Sequence, residues 1–350
     1  MPGLTRLSSL PSPGSTPHGP AVPPPRFELA TFDTYRPGND SQRRAFDLVR
    51  EFVSRLKPAG RRRWPWQSRP QGEGIYLDGG YGVGKTHLLA AAYHAAHVEK
   101  AYLTFQELVH LIGALGLEAA RERFEGVGLV CVDEFELDDP GNTLIVKRFL
   151  EQVFARGGAV ITTSNTPAEA QGEGRFNADD FRREIQGIAQ RFTTVKISGS
   201  DYRQREERTP LLEPANFERL VEQELEASRD AVAPRTVLAE FDELLGVLAE
   251  LHPIAYRGLL ERFDLLLLAD VRTISGLNDA LRFVHFIDQL YDRQVGLRAS
   301  GRISLDELFH PSYRHSAYQR KFERCASRLG ELLAEPGSIE AELDRVEGFD

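Results

Sequence analysis

Cysteine is scarce: Cys131 and Cys325 are the two in the chain, and they lie far apart. They build neither a disulfide framework nor a Cys-rich zinc site. That scarcity fits a reduced, intracellular setting, here expected to be cytoplasmic. No apolar run approaches the ~18–20 residues of a membrane span, and the greasiest stretches, such as Leu265–Leu268, are strand-sized. No basic excess is present either. Lys and Arg number 43 against 52 Asp and Glu, for a formal charge of -9. A broad nucleic-acid-coating surface is therefore disfavoured, although a local basic patch is not. Lysine is rarer still, six among those 43 basic residues, so each lysine is informative.

What the chain does have is length. Its 350 residues suit one large domain or two ordinary ones with a substantial core. Residues 1–26 are rich in Pro, Ser and Gly, including Pro11, Pro13, Pro17, Pro20 and Pro23–Pro25. Such a stretch buries too little apolar surface to offset its ordering entropy and is expected to be a disordered tail. It has no apolar h-region, so a secretory signal is not expected, and its prolines oppose the helix of a transit peptide. Residues 27–70 form a helical segment, with Ala45, Phe46, Val49, Phe52, Val53 and Leu56 at helical spacing. It ends in a basic and aromatic insert, Arg61–Trp66.

Between residues 71 and 203, short apolar runs alternate with helical patterns. Ile75–Leu77, Ala101–Phe105, Leu129–Val132, Ala159–Thr163 and Thr194–Ile197 read as strands. His87–His97, Gln106–Leu115, Thr143–Ala155 and Asp179–Ala189 read as helices. Strands alternating with helices of this length argue for an α/β fold with a mainly parallel sheet. Residues 204–235 are a charged connector carrying a short helix. Residues 236–345 are mainly helical, over Leu238–Leu260 and Gly276–Tyr291, with strand-like pieces Leu265–Leu268 and Val295–Ala299 that suit the first sheet.

The segment Gly79-Gly80-Tyr81-Gly82-Val83-Gly84-Lys85-Thr86 matches G-x-x-x-x-G-K-S/T directly after a strand and at the start of a helix. Glycines permit a compact loop whose backbone N–H groups face one anion, and the helix N-terminus adds its positive dipole end. Lys85 can then reach the β- and γ-phosphates of a nucleotide, and the Thr86 hydroxyl can ligate Mg²⁺. Nucleotide binding, with ATP and Mg²⁺ as ligands, follows from this motif.

Further along, Leu129-Val130-Cys131-Val132-Asp133-Glu134 is an apolar strand ending in two acids. Acids at the carboxyl end of a central strand lie where ligands bind in open α/β sheets. Asp133 would hold Mg²⁺ and Glu134 would polarise the attacking water; two acids rather than one favour hydrolysis over binding alone. Asn165 closes the next apolar strand before Thr166-Pro167. Taken alone its amide suits a turn, but after the two preceding motifs, in that order, a sensor that bonds the γ-phosphate and water is the favoured reading.

The order of the phosphate loop, Val132–Phe135, Thr163–Asn165 and Asp201-Tyr202-Arg203 resembles the ZapE family of ATPases. Phe286–Asp292 and Ser327-Arg328-Leu329 add to the resemblance, which spans roughly Phe32 to Leu333. Glu134–Asp139 and Gly172–Phe176 look most like actinobacterial members. The resemblance implies an AAA+-like P-loop fold and ATP hydrolysis, and carries roles to Gly79–Thr86, Asp133, Glu134 and Asn165. It also implies a protein partner, with bacterial members tied to cell division and the FtsZ ring and mitochondrial ones to protein quality control. The Arg61–Trp66 insert and the longer charged connector depart from the commoner pattern, which leaves the partner's identity open.

AAA+-type sites are completed by an arginine from a neighbouring subunit, so a homo-oligomer is expected when ATP is bound. Arg175, Arg182, Arg183 and Arg191 all lie in the right stretch of sequence, with Arg175 favoured. Arg282 is the candidate second sensor of nucleotide state. The Arg61–Trp66 insert is either a solvated loop or a surface for single-stranded nucleic acid or anionic lipid. Two other readings stay open: a nucleic-acid-handling AAA+ protein of helicase-loader or transposition-helper type, suited by Gly84–Leu89, and an ATP-gated scaffold with negligible turnover.

Overall fold

The computed structural model describes residues 4–11, 21–57, 72–137, 140–168, 171, 182–199, 210–227, 235–316 and 318–334. Two units divide the chain: residues 17–202 form one, and residues 1–16 with 203–350 form the other. The expected division of 27–70 from 71–203 is therefore replaced by a single unit. The expected tail is also not uniformly irregular. Thr5–Arg6 forms a short strand, β1, followed by a helical turn that buries Leu7 at 1% exposure. Pro25–Phe27 forms another turn in the other unit, and Ala21 accepts the Tyr102 N–H at 2.8 Å. Composition alone misses such anchors, because it does not show that Thr5 and Arg6 pair with the distant residues Val237 and Leu238.

In the unit of residues 17–202, α1 (Asp40–Ser54) starts where the Asn39 side chain accepts the Gln42 N–H at 3.0 Å. There follow β2 (Gly74–Gly79), α2 (Lys85–Ala95), β3 (Lys100–Thr104), α3 (Phe105–Leu115) and α4 (Leu117–Arg123). Then come β4 (Leu129–Asp133), α5 (Pro140–Ala155), β5 (Ala159–Ser164), α6 (Arg182–Ala189) and β6 (Phe192–Ile197). The strands form a five-stranded parallel sheet in the order β3-β4-β5-β2-β6.

Period-two alternation sends successive strand residues to opposite faces. Ile75, Leu77, Cys131 and Ile161 pack with Leu88, Leu89, Ala45 and Val49 on the face covered by α1 and α2. Tyr76, Val130, Val132 and Val160 pack with Leu108, Phe149 and Ile185 on the face covered by α3 to α6. Strands buried on both sides have no polar face, which explains their continuous apolar runs.

In the other unit, α7 (Pro214–Ala227) is followed by β7 (Thr236–Glu240), α8 (Phe241–Glu250), α9 (Tyr256–Leu260) and β8 (Leu265–Val271). The remaining elements are α10 (Leu277–Asp292), β9 (Gly296–Gly301) and α11 (Gln319–Ala334). Helices predominate as expected. The strand-like pieces, however, do not join the first sheet: they make a second, four-stranded parallel sheet in the order β1-β7-β8-β9. Thr236–Glu240 is strand rather than the start of a helix, because Val237 and Ala239 are needed under α8 and α10 in the second core. The helix expected in the connector, α7, packs Phe217 and Val221 on Leu265 and Leu267 of this sheet.

Between α10 and α11 lies a buried charge cluster. Asp288 Oδ2 is 2.5 Å from Arg324 Nη2, and Asp288 Oδ1 is 2.5 Å from Arg328 Nη1. Arg328 also stacks on Tyr291 at 5.0 Å and approaches Asp292 at 3.9 Å. Burial pushes the Asp288 carboxyl up, but Arg324 and Arg328 outweigh it and hold the carboxyl below its ordinary range. The carboxylate therefore stabilises the fold fully above its unfolded pKa of ~3.9, and this contribution is lost as pH falls through the lower folded value. Asp288→Asn removes the carboxylate that both buried guanidinium groups pair with. It is expected to cost ~3–5 kcal/mol, measured as a lower denaturant midpoint for this unit at pH 7, with a smaller difference from wild type near pH 3.

Candidate active site

The phosphate loop leaves β2 at Gly79 and ends at Gly84, whose φ of 91° places it in the left-handed region. A side chain at Gly84 would be strained by that φ, and its Cβ would lie 2.9 Å from the Tyr35 ring. At Gly79 a Cβ would lie 2.2 Å from the Ile197 carbonyl oxygen of β6. These glycines let the backbone turn tightly between β6 and the segment 31–35. That segment is itself seated on α2 and α1: His87 Nε2 lies 3.1 Å from the Thr31 carbonyl oxygen, and Tyr35 stacks on Phe46 of α1. Burial pushes the His87 pKa down, so the ring is held neutral there.

Lys85 opens α2 and is only 7% exposed. Its ammonium donates to Gly79 O at 2.8 Å, Gly80 O at 2.5 Å and Asn165 Oδ1 at 2.9 Å. The lysine and the sensor candidate are thus in direct contact. The next residue, Thr86, donates to Asp133 Oδ1 at 3.3 Å. The loop, Asp133 and Asn165 meet because β2 lies beside β5, and β5 beside β4. Their carboxyl ends form one crevice where the strand order reverses.

Asp133 is 7% exposed and densely bonded. Besides Thr86, it accepts the Tyr102 hydroxyl at 3.0 Å, the Glu134 N–H at 3.2 Å and a short bond from the Thr163 hydroxyl. Burial pushes its carboxyl pKa up and Glu134 adds to this, while the hydroxyls of Thr163 and Tyr102 and the Glu134 N–H pull it down; the net direction is upward. A bound cation acts the other way. Thr86 and Asp133 offer oxygen donors only, a hydroxyl and a carboxylate, and this set fits a hard ion such as Mg²⁺.

Glu134 has a φ of 52°, left-handed for a non-glycine residue. Such a backbone costs ~1–3 kcal/mol and persists where its surroundings hold it. Here Glu134 N–H donates to Thr163 Oγ1 at 3.0 Å, and Phe135 N–H to Thr163 O at 2.7 Å.

Loop, lysine, acids and Asn165 are therefore brought together as the sequence suggests. Arg175, the Arg61–Trp66 insert and Asp201–Arg203 lie outside the described residues. Arg282 lies on α10 in the other unit, 3.5 Å from Asp279. The sequence reading missed Tyr102, Thr163 and Gln171. Thr163 stood inside the Thr-Ser-Asn motif, and Tyr102 had one weak signal, a polar-tipped ring in the apolar middle of its strand.

This chain matches a family of known proteins over residues 23–337, nearly its whole length. It belongs to the AFG1-like ATPase family. Family membership, the phosphate loop and the parallel strand order together define an AAA+-like P-loop fold. Among relatives, it is 28% identical to the cell division protein ZapE of Escherichia coli over 299 residues, covering 75% of this chain and 78% of that protein. Lactation elevated protein 1 homolog B of Danio rerio is 24% identical, with 75% of this chain and 68% of that protein covered. Among solved structures, the DnaC helicase loader aligns with 49% of this chain and 99% of its own, at 20% identity and a TM-score of 0.37. Among the described residues of this family member, no helix is long and apolar enough to cross a membrane.

Tyr102→Phe removes one donor to Asp133 while keeping the ring. Loss of such an outer partner is expected to raise the Mg²⁺ concentration for half-maximal ATPase activity ~10-fold, read from a Mg²⁺ titration of purified protein.

Proposed function

We propose that this chain binds ATP with Mg²⁺, hydrolyses it to ADP and phosphate, and couples turnover to remodelling or regulating a protein partner. One observation carries the reading: Lys85, Thr86, Asp133, Glu134 and Asn165 converge on a single strand-end crevice, with Lys85 2.9 Å from Asn165 and Thr86 3.3 Å from Asp133.

In this reading the N–H groups of Gly79–Thr86 and the α2 N-terminus hold the phosphates, while Lys85 exchanges loop carbonyls for phosphate oxygens. Thr86 and Asp133 hold Mg²⁺, which when bound offsets the phosphate charge. Glu134 accepts a proton from water as the oxygen attacks the γ-phosphorus, and Asn165 orients that water against the phosphate. Arg175 from a second copy of the chain completes the site in an ATP-bound homo-oligomer, and Arg282 senses nucleotide state. The partner is sought first in the cytoplasmic division machinery, the FtsZ ring included, because the chain is similar to a protein named for cell division.

Lys85→Ala is expected to abolish binding of a fluorescent ATP analogue. Glu134→Gln should keep that binding and lower kcat ~10²-fold or more. Undiminished turnover in either variant would contradict the assignment, and capture of partners on the Glu134→Gln protein tests the division role.

A further inference from the structure

Gln171 belongs to neither the phosphate loop nor the acidic strand, yet its side chain is a buried hub at 5% exposure. Its Oε1 accepts the Leu137 N–H at 2.8 Å. Its Nε2 lies 2.6 Å from the Tyr76 hydroxyl, 3.0 Å from Ser164 Oγ, 3.2 Å from Phe135 O and 3.4 Å from Thr166 O. Two amide protons shared among these oxygens join the ends of β4 and β5 to Tyr76 in the middle of β2. Tyr76 completes the circuit by donating to Thr166 O at 2.7 Å, and burial raises its pKa so that it stays a donor.

These partners bracket the two residues whose placement matters most. Phe135 and Leu137 follow Glu134, whose left-handed backbone needs holding on both sides. Thr163 holds the near side through the Glu134 and Phe135 N–H groups, and Gln171 holds the far side. Ser164 and Thr166 flank Asn165. An apolar side chain would fill the same space. A side-chain amide carries both an acceptor and donors, so Gln171 satisfies the Leu137 N–H and the Phe135 carbonyl of the same segment, which an apolar side chain cannot do.

We propose that Gln171 is a positioning residue that locks the Glu134 and Asn165 loops into one fixed relation, so that the acid acting on water and the amide facing the γ-phosphate are aligned together. This rests on the site reading given above. The test is steady-state ATPase kinetics and nucleotide binding on the full chain with Gln171→Met, Tyr76→Phe, Glu134→Gln and the Gln171→Met/Glu134→Gln double variant.

Misplacement by about 1 Å costs ~10²-fold in rate, so Gln171→Met is expected to lower kcat ~10–10²-fold while the affinity for an ATP analogue stays within about threefold. Tyr76→Phe, which keeps the ring and its packing, should lower kcat several-fold, and it decides the matter if Gln171→Met does not fold. Because Gln171 acts in part through Glu134, the double variant should lose less than the product of the two single losses. Wild-type kcat in both Gln171→Met and Tyr76→Phe, or additive losses in the double variant, beside a crippled Glu134→Gln, would overturn this inference alone. An inactive wild type, or a fully active Glu134→Gln, would overturn the site reading and this inference with it.

Discussion

A parallel sheet ordered β3-β4-β5-β2-β6 places the first strand of the motif between the last two. The chain leaves β2, crosses to the far edge, returns strand by strand and finally passes to the other side of β2. Every strand runs the same way, so the residues after β2, β4 and β5 emerge side by side. The phosphate loop, the two acids and Asn165 owe their proximity to this order. None of these contacts arises from nearness in sequence.

Within that crevice, a single carboxylate organises the rest. A buried charge is costly unless donors surround it, and Asp133 accepts from Thr86 of α2, Tyr102 of β3, Thr163 of β5 and its neighbour Glu134. Four segments are thereby tied to one side chain. The same Thr163 that bonds Asp133 also fixes the left-handed Glu134, so the two acids share a support. Gln171 extends this polar layer one shell outward, toward the segments that follow β4 and β5.

The other unit relies on charge differently. Its core is apolar over Phe241, Leu266, Phe283 and Leu297, and its buried ions gather between α10 and α11, where Asp288 pairs with two arginines. Those residues belong to the motifs near Phe286–Asp292 and Ser327–Leu329. In the structure they are packing elements that lock one helix to another, and their chemistry is that of a paired, desolvated ion cluster. The short N-terminal strand β1 extends the sheet of the same unit, with Leu7 sealed into its core.

Local features were legible without coordinates. The glycine-lysine loop, the apolar strand ending in Asp133 and Glu134, and the alternation of strands with helices all depend on residues close in sequence. Glycine, acid and apolar patterns announce themselves at that range. What the tertiary structure alone decided is everything that depends on which strand lies beside which. The pairing of Leu265–Val271 with a second sheet, the anchoring of Thr5–Leu7, the bond of Tyr102 to Asp133 and those of Gln171 to Phe135 and Leu137 all join residues far apart in sequence. No periodicity encodes such partners, because a tyrosine or glutamine in a strand or loop looks the same whether its polar end meets water or a buried carboxylate.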